Sequence, residues 1–160
     1  MLEYGHMDIE LRLSAYGHHL PSPPNAGGNY LSAKRVGNML YLAGVISTQD
    51  GSVLTGTVGA ERSIEDGYAA AVACALAQLA VIKHELGTLN AVESIVGLNG
   101  YVNAIAGFAD SPKVINGASD LLVAAFGDAG RHVRAAVGVN ALPRNAMVEI
   151  QMTVLVKSGN

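Results

Sequence analysis

The sequence predicts an α+β fold in which two helices cover one face of a single β-sheet. Apolar residues recur at helical spacing in residues 63–86, and Ser111-Pro112 opens a second helical stretch. The segments around them alternate between apolar and polar residues, as strands do. The resulting order, β-β-α-β-α-β-β, predicts a two-layer sandwich. The chain has 160 residues, half of them hydrophobic, which suits one domain with its own core.

The first 29 residues precede this pattern. Residues 1–7 end at a second methionine, and we interpret them as an extension outside the fold. We interpret residues 8–29 as an N-terminal arm: one or two helical turns, then GHHLPSPPNAGGN, a loop dense in proline and glycine. Its adjacent histidines, His18 and His19, have no carboxylate at ligand spacing, so we expect them at the surface rather than on a metal ion. Two roles stay open for the arm, a lid over a cleft or a contact with a neighbouring subunit.

Two strands and a turn are predicted next. Residues 30–36 alternate and predict the first strand, and Gly37-Asn38 supplies a hairpin turn. Residues 39–48, MLYLAGVIST, predict a long apolar strand in the centre of the sheet. We expect a loop after it, with a tight turn at Asp50-Gly51.

The first long helix has clear end signals. Ser63 is predicted to cap it, and acidic residues follow in the first turn, where the helix dipole favours them. The apolar spacing continues to Leu86, and Gly87 is predicted to end the helix. Residues 92–103 then predict another strand.

The remaining elements are a second helix and two strands. Ser111 and Pro112 are predicted as the cap and first position of the helix, and Gly127 to Gly130 end it. Strands are predicted at residues 133–141 and 147–157, joined at Leu142 to Asn145. The central strands are apolar on both faces, so we expect the uncovered sheet face to be buried by oligomerisation.

Composition excludes several function classes. The formal net charge is −3 and no run of Lys and Arg occurs, which argues against a nucleic-acid binder. The lone cysteine, Cys74, rules out a disulfide within the chain, and its apolar surroundings predict a small buried side chain. No signal peptide or uninterrupted apolar run of membrane-spanning length is visible, so we expect a soluble cytoplasmic protein without a membrane partner.

Several short motifs occur in a recognisable order between Gly28 and Val156. They are Gly28-Asn29-Tyr30, Leu40-Tyr41-Leu42-Ala43-Gly44, Asn116, Arg134, Leu142-Pro143 and Val148-Glu149-Ile150. With these motifs the chain resembles the RidA/YjgF family of reactive-intermediate deaminases, also called endoribonuclease L-PSP, and in particular a longer bacterial branch with a proline-rich arm. The resemblance implies a chorismate-mutase-like fold, a homotrimer and sites in the clefts between subunits.

The resemblance also implies roles for individual residues. Arg134 matches the arginine that grips a substrate carboxylate, a task suited to its planar, bidentate guanidinium. Glu149 matches the glutamate that orients or activates a water molecule. Tyr30, Gly44 and Asn116 match residues that border the substrate. The implied reaction is hydrolytic deamination of small 2-imino acids and their enamine tautomers, with no metal or organic cofactor.

The sequence departs from the family pattern at two places. RidA-type members usually have Ser-Gly-Gln where this chain has Ala43-Gly44-Val45, and often Cys where it has Ala136. The loss of a substrate-binding hydroxyl at Ala43 favours a second hypothesis, a non-catalytic trimeric binding protein for small carboxylate metabolites. A third hypothesis, RNA cleavage, follows only from the family's older name and is opposed by the charge and the few aromatic residues.

Simpler roles stay open for Arg134, namely an edge charge or an ion-pair partner of Glu149 or Asp128. The deaminase hypothesis instead predicts that Arg134 faces an intersubunit cleft near Glu149 of the same sheet. His132 is expected to take no part in catalysis, on the argument that neighbouring strand residues face opposite ways. Ser119 is expected to lack a histidine placed to act as its base.

Overall fold

The computed structural model of the chain describes residues 8–159, and the proposed extension at residues 1–7 lies outside them. The helices are α1 (Ile9–Ala15), α2 (Ile64–Leu86) and α3 (Ser111–Phe126). The strands are β1 (Ala33–Val36), β2 (Met39–Leu42), β3 (Val45–Ile46), β4 (Thr48–Gln49), β5 (Ser52–Val53), β6 (Val92–Asn103), β7 (Val133–Val139) and β8 (Val148–Val156).

One mixed sheet forms the centre of the molecule, in the order β1-β2-β8-β6-β7. β3 continues beside β8, and only the β6–β7 pair of this sheet is parallel. Buried residues of α2 and α3 form a single hydrophobic cluster with those of β2, β6 and β8. The predicted α+β fold, with both long helices on one face of one sheet, is therefore confirmed.

The predicted continuous strand at residues 39–48 is wrong, because it breaks at Ala43-Gly44 into β2 and β3. Gln78 of α2 accounts for the break. Its side chain is fully buried, and its Nε2 donates hydrogen bonds to the carbonyl oxygens of Ala43 at 2.8 Å and Ile150 at 3.3 Å. A carbonyl held by a helix side chain is withdrawn from regular strand pairing. The expected loop after this strand contains a short β4–β5 hairpin, and its turn is the predicted one at Asp50-Gly51.

α2 ends where the sequence predicts. The Ser63 hydroxyl accepts from the Asp66 N–H and the Asp66 carboxylate accepts from the Ser63 N–H, which completes a capping box. Gly87 ends the helix in the left-handed conformation, at φ 83°. α2 is long and apolar enough to cross a membrane, but 56% of an 18-residue window within it is buried inside the fold, so it is a core helix. Cys74, on this helix, is fully buried as predicted.

The cap of α3 differs from the prediction. Asp110, not Ser111, is the cap, because its carbonyl oxygen accepts the first hydrogen bonds of the helix, from Lys113 and Val114. Ser111 is the first helical residue and is buried, and Pro112 follows it without loss because N–H groups in the first turn have no helical partner. The last two strands, β7 and β8, are shorter than predicted, since residues 140–147 turn through Pro143–Asn145.

The sheet face opposite the helices carries exposed apolar side chains. Along β8 the buried residues alternate with partly exposed ones, which places Glu149, Gln151 and Thr153 on the open face. Tyr41 and Val137 lie on the same face, each 46% exposed, with Val133 76% exposed. A sheet face that exposes several apolar side chains and carries neither long helix agrees with the expectation that this face is covered in an oligomer, which stays a prediction.

Gly117→Ala is expected to destabilise the fold, although this exchange usually stabilises a helix interior by about 1 kcal/mol. A Cβ at Gly117 would lie 2.2 Å from the carbonyl oxygen of Tyr68, because α2 and α3 approach closely there. Overpacking of this kind costs about 1–3 kcal/mol, to be measured by urea unfolding. In Gly97→Ala, the matched control, the nearest atom would be 3.8 Å away. Equal stability of the two variants would contradict the close approach.

Candidate functional site

A pocket of about 990 Å³ opens at the break between β2 and β3. The N-terminal arm forms one wall, through residues 21, 22 and 24–27 and through Tyr30. The opposite wall consists of the strand break, the β4–β5 turn and the α2 residues Ala77 and Val81. Glu149, Asp50 and Arg144 supply charged groups. A cavity of this size accommodates a small organic ligand with room for its side chain.

Glu149 lies directly against the strand break. A Cβ added to Gly44 would stand 3.3 Å from the Glu149 Oε2, so the absence of a side chain at Gly44 leaves space for the carboxylate. Burial raises the pKa of Glu149, because a carboxylate loses solvation in the pocket. Within residues 8–159 Glu149 forms no ion pair. A carboxyl group with a raised pKa is suited to accepting and returning a proton closer to neutral pH.

Tyr30 lines the same pocket, at the end of the arm. Its hydroxyl oxygen accepts a hydrogen bond from the Gly27 N–H at 2.9 Å, and its ring lies against Gly28. The phenolic proton remains available to a ligand, since the oxygen acts as the acceptor in this bond. Tyr30, Gly44 and Glu149, three of the five predicted site residues, therefore meet in one pocket, and we call them the Glu149 group.

Arg144 is a pocket residue that the sequence argument missed. It occupies the turn before β8 with φ 54° and ψ 27°, and Asn145 after it has φ 57°, so two successive non-glycine residues are left-handed. Such a conformation costs roughly 1 kcal/mol or more per residue and persists where the surroundings enforce it. Asn103 helps to enforce it, because its side-chain amide donates to the Asn145 Oδ1 at 3.2 Å and the Ala146 carbonyl at 3.1 Å. The one feature of the sequence that could have indicated Arg144 is its positive charge in the turn before the strand that carries Glu149.

Arg134 lies elsewhere. Its register partner on β6 is Leu98, which is buried on the helix side, so Arg134 extends along the helix face of the edge strand β7. Its Nη1 donates to the Ser119 Oγ at 2.9 Å and its Nη2 to the Pro112 carbonyl at 3.2 Å. No ion pair of Arg134 occurs in the described part of the chain, and Asp128 instead pairs with Arg131 at 3.3 Å.

Asn116 shares the part of α3 that Arg134 contacts. It is half-buried and stands four residues after Pro112 and three before Ser119, spacings that place all three on one helix face. Asn116 and Arg134, the two remaining predicted residues, are thus neighbours. Together with Ser119 and His132 we call them the Arg134 group.

The two groups do not meet within one chain. Glu149 pairs with Tyr101 of β6, whose other partner is Val137, whereas Arg134 pairs with Leu98. Paired residues point to the same side of a sheet, so Glu149 lies on the open face and Arg134 on the helix face, with β6 between their strands. The prediction that Arg134 stands near Glu149 of the same sheet is wrong for a single chain.

His132 and Ser119 also differ from their predictions. His132 precedes Arg134 by two residues, so the two share one face; the expectation that they point apart used the wrong spacing. The His132 Nε2 lies 2.9 Å from the Ser119 Oγ, so the expectation that no histidine is placed to act as the base of this serine is wrong in its geometry.

Glu149→Gln is expected to raise the melting temperature at neutral pH, by up to about 2 °C because solvent screens a half-buried group. The raised pKa of Glu149 means that the folded chain binds its proton more tightly than the unfolded chain. Stability therefore falls as pH rises from the ordinary carboxyl pKa through the raised one, and glutamine avoids this loss. The gain should disappear below about pH 4, where the carboxyl is protonated in both states. Glu93→Gln, at an exposed site on β6, is the control; equal melting temperatures at pH 7 would contradict the burial cost.

The sequence matches one protein family over most of its length. Residues 10–155 match a family described as "YjgF/chorismate_mutase-like, putative endoribonuclease". The chain is 38% identical to Protein TCP17 of Trypanosoma cruzi over 148 aligned residues. The alignment covers 91% of this chain and 92% of that protein.

Solved structures give the same result. The protein Atu1372 of Agrobacterium tumefaciens, of unknown function, is 38% identical with a TM-score of 0.88, covering 93% of this chain and 92% of its own. A "putative endoribonuclease" of Shewanella oneidensis MR-1 is 33% identical with a TM-score of 0.90, covering 93% and 99%. RidA from an Antarctic Psychrobacter, 24% identical with a TM-score of 0.58 over 84% and 94%, shows the shared fold alone.

Proposed function

Because the chain belongs to the YjgF/RidA family of chorismate-mutase-like proteins, we propose that it hydrolyses small 2-imino acids and their enamine tautomers to 2-oxo acids and ammonia. The site we propose is an intersubunit cleft of a homotrimer. The substrates are released by other enzymes, and we place the protein in the cytoplasm.

The observation that carries this proposal is the separation of the two groups. The Glu149 group offers a pocket and a proton-accepting carboxylate, and the Arg134 group offers a guanidinium at a sheet edge. Each is half of a site for a carboxylate-bearing substrate. We propose that a second copy docks on the open sheet face and brings the Arg134 group of one chain to the Glu149 group of the next.

The chemistry assigned to each group follows from its atoms. The Arg134 guanidinium binds the substrate carboxylate through parallel N–H···O bonds. Water adds to the imine carbon, forming a C–O bond, while Glu149 takes a proton from that water. That proton passes to the nitrogen as the C=N double bond becomes single, which gives a carbinolamine. Glu149 then takes the proton of the new hydroxyl group and the nitrogen receives it. The C=O bond forms as the C–N bond breaks, ammonia leaves and the 2-oxo acid remains. Acid–base steps of this kind call for neither a metal nor an organic cofactor.

A second function, a non-catalytic binding protein for small carboxylate metabolites, is favoured by one observation. Ala43 lines the pocket beside Gly44, so a methyl group stands where RidA-type relatives have a hydroxyl. The third hypothesis, RNA cleavage, finds support only in the names of relatives, and the net charge of −3 opposes it.

The test is imine hydrolysis. An amino-acid oxidase or a dehydratase generates the short-lived imine in situ, and its decay is followed with and without this protein. We expect acceleration by the native chain and a loss of about 100-fold or more in Glu149→Gln, the usual contribution of a positioned acid–base group. No acceleration with several imines, together with retained binding of 2-oxobutyrate, would establish the binding function and make Ala43→Ser the next variant.

A further inference from the structure

We propose that Ser119 and His132 are positioning residues that fix the guanidinium of Arg134 in the orientation that receives a carboxylate. This inference rests on the proposed function for the identity of the ligand. The immobilisation of Arg134 itself does not depend on any reaction. Two side chains that lie outside the resemblance to the family are thereby given a role.

The hydrogen bonds form a directed chain. The His132 Nδ1 lies 2.7 Å from the Gly130 carbonyl oxygen, which can only accept, so Nδ1 carries the hydrogen. In the neutral ring Nε2 is then an acceptor, and the Ser119 hydroxyl donates to it at 2.9 Å. The Ser119 oxygen, whose proton is thus directed away, accepts from the Arg134 Nη1 at 2.9 Å. The tautomer of His132 therefore sets the direction of the hydroxyl that holds Arg134.

A second hydrogen bond also holds the guanidinium of Arg134. The Arg134 Nη2 donates to the Pro112 carbonyl at 3.2 Å, so both terminal nitrogens are attached to α3. Two of the five guanidinium N–H groups are used, and three remain for an anion. A side chain already held in its bound geometry loses less conformational entropy when the ligand arrives, which strengthens binding. Arg134 is exposed within one chain, so without these anchors its long side chain would sample many rotamers.

A catalytic role for the Ser119–His132 pair is less consistent with the structure. A hydroxyl that donates to a histidine resembles a nucleophile and its base. Neither side chain lines the large pocket. The Ser119 oxygen is also occupied by the Arg134 N–H. Both residues are linked to Arg134 by hydrogen bonds, directly or through one another, so we assign them a positioning role.

The experiment measures Arg134 itself. Guanidinium ¹⁵N NMR of the full-length protein reports rotation about its C–N bonds, and Arg134→Lys identifies its signals. We expect slow rotation in the native chain and in Ser119→Thr, which keeps the hydroxyl, and fast rotation in Ser119→Ala and His132→Phe. Ser14→Ala, an exposed helical serine on α1, is the matched control and should leave the signals unchanged.

Binding supplies the second readout. The dissociation constant of 2-oxobutyrate, a stable carboxylate probe, should rise by about tenfold in Ser119→Ala, the size of one hydrogen bond to a charged group, and return in Ser119→Thr. In the imine assay, KM should rise while kcat changes little. Unchanged Arg134 rotation in both Ser119→Ala and His132→Phe would overturn the inference. If the rotation of Arg134 becomes fast in these variants but the native protein hydrolyses no imine, the inference stands and the deaminase function is rejected.

Discussion

Arg134→Ala is expected to lower kcat/KM for imine hydrolysis by roughly 30-fold to 4000-fold, the effect of removing one partner from a desolvated charge pair worth about 2–5 kcal/mol. The folded chain should tolerate the change. Arg134 is exposed at the edge of the sheet, and surface substitutions usually alter stability by less than about 0.5 kcal/mol. The measurements are steady-state kinetics with an imine generated in situ and thermal unfolding of the same preparations.

Two variants sharpen this result. Arg134→Lys keeps the charge but not the planar fork, so its kcat/KM should lie between those of the native chain and Arg134→Ala. Arg131→Ala removes an exposed arginine of the same segment, whose partner is Asp128, and should leave the kinetics unchanged. An Arg134→Ala enzyme with native kcat/KM would refute the carboxylate contact, and an equal loss in Arg131→Ala would indicate a general effect of positive charge.

Activity should be recovered when two inactive variants, Arg134→Ala and Glu149→Gln, are assembled together. If each site takes Arg134 from one copy and Glu149 from another, random mixing leaves about a quarter of the sites with both residues intact. Each variant alone has no intact site. The expected result is therefore about a quarter of native kcat from two nearly inactive proteins, measured after co-expression or joint refolding.

The control for mixing is the double variant. Arg134→Ala mixed with the chain that carries both substitutions contains no Arg134, so no recovery is expected. Failure of the two single variants to complement, although mixed oligomers are shown by mass, would mean that the groups act separately. The separation of Arg134 and Glu149 across the sheet would then need another explanation.

Features of the fold that depend on residues close in sequence were predictable, and features that depend on distant residues were not. The ends of α2 depend on Ser63, Asp66 and Gly87, all within a turn of the helix ends, and the sequence argument identified the cap and the stop. The break at Ala43-Gly44 depends on Gln78, more than 30 residues away, and no pattern within residues 39–48 indicates it.

The sequence argument predicted candidate site residues but not their arrangement in space. All five predicted residues lie in one of the two groups, yet the sheet face of each depends on strand register, which β6 sets by pairing with both β7 and β8. His132 was assignable from sequence, since a spacing of two puts it on the face of Arg134. Its contact with Ser119 required the packing of α3 on β7.

The placement of the two groups on opposite faces of the sheet also bears on sequence variation among relatives. Positions that exchange residues in concert usually touch. Concerted exchange between positions at the α3–β7 edge and positions around Glu149 would not reflect a contact within one chain, because β6 separates their strands. Such pairs would carry information about quaternary structure alone, and a set of them would act as distance restraints for docking one copy on the next.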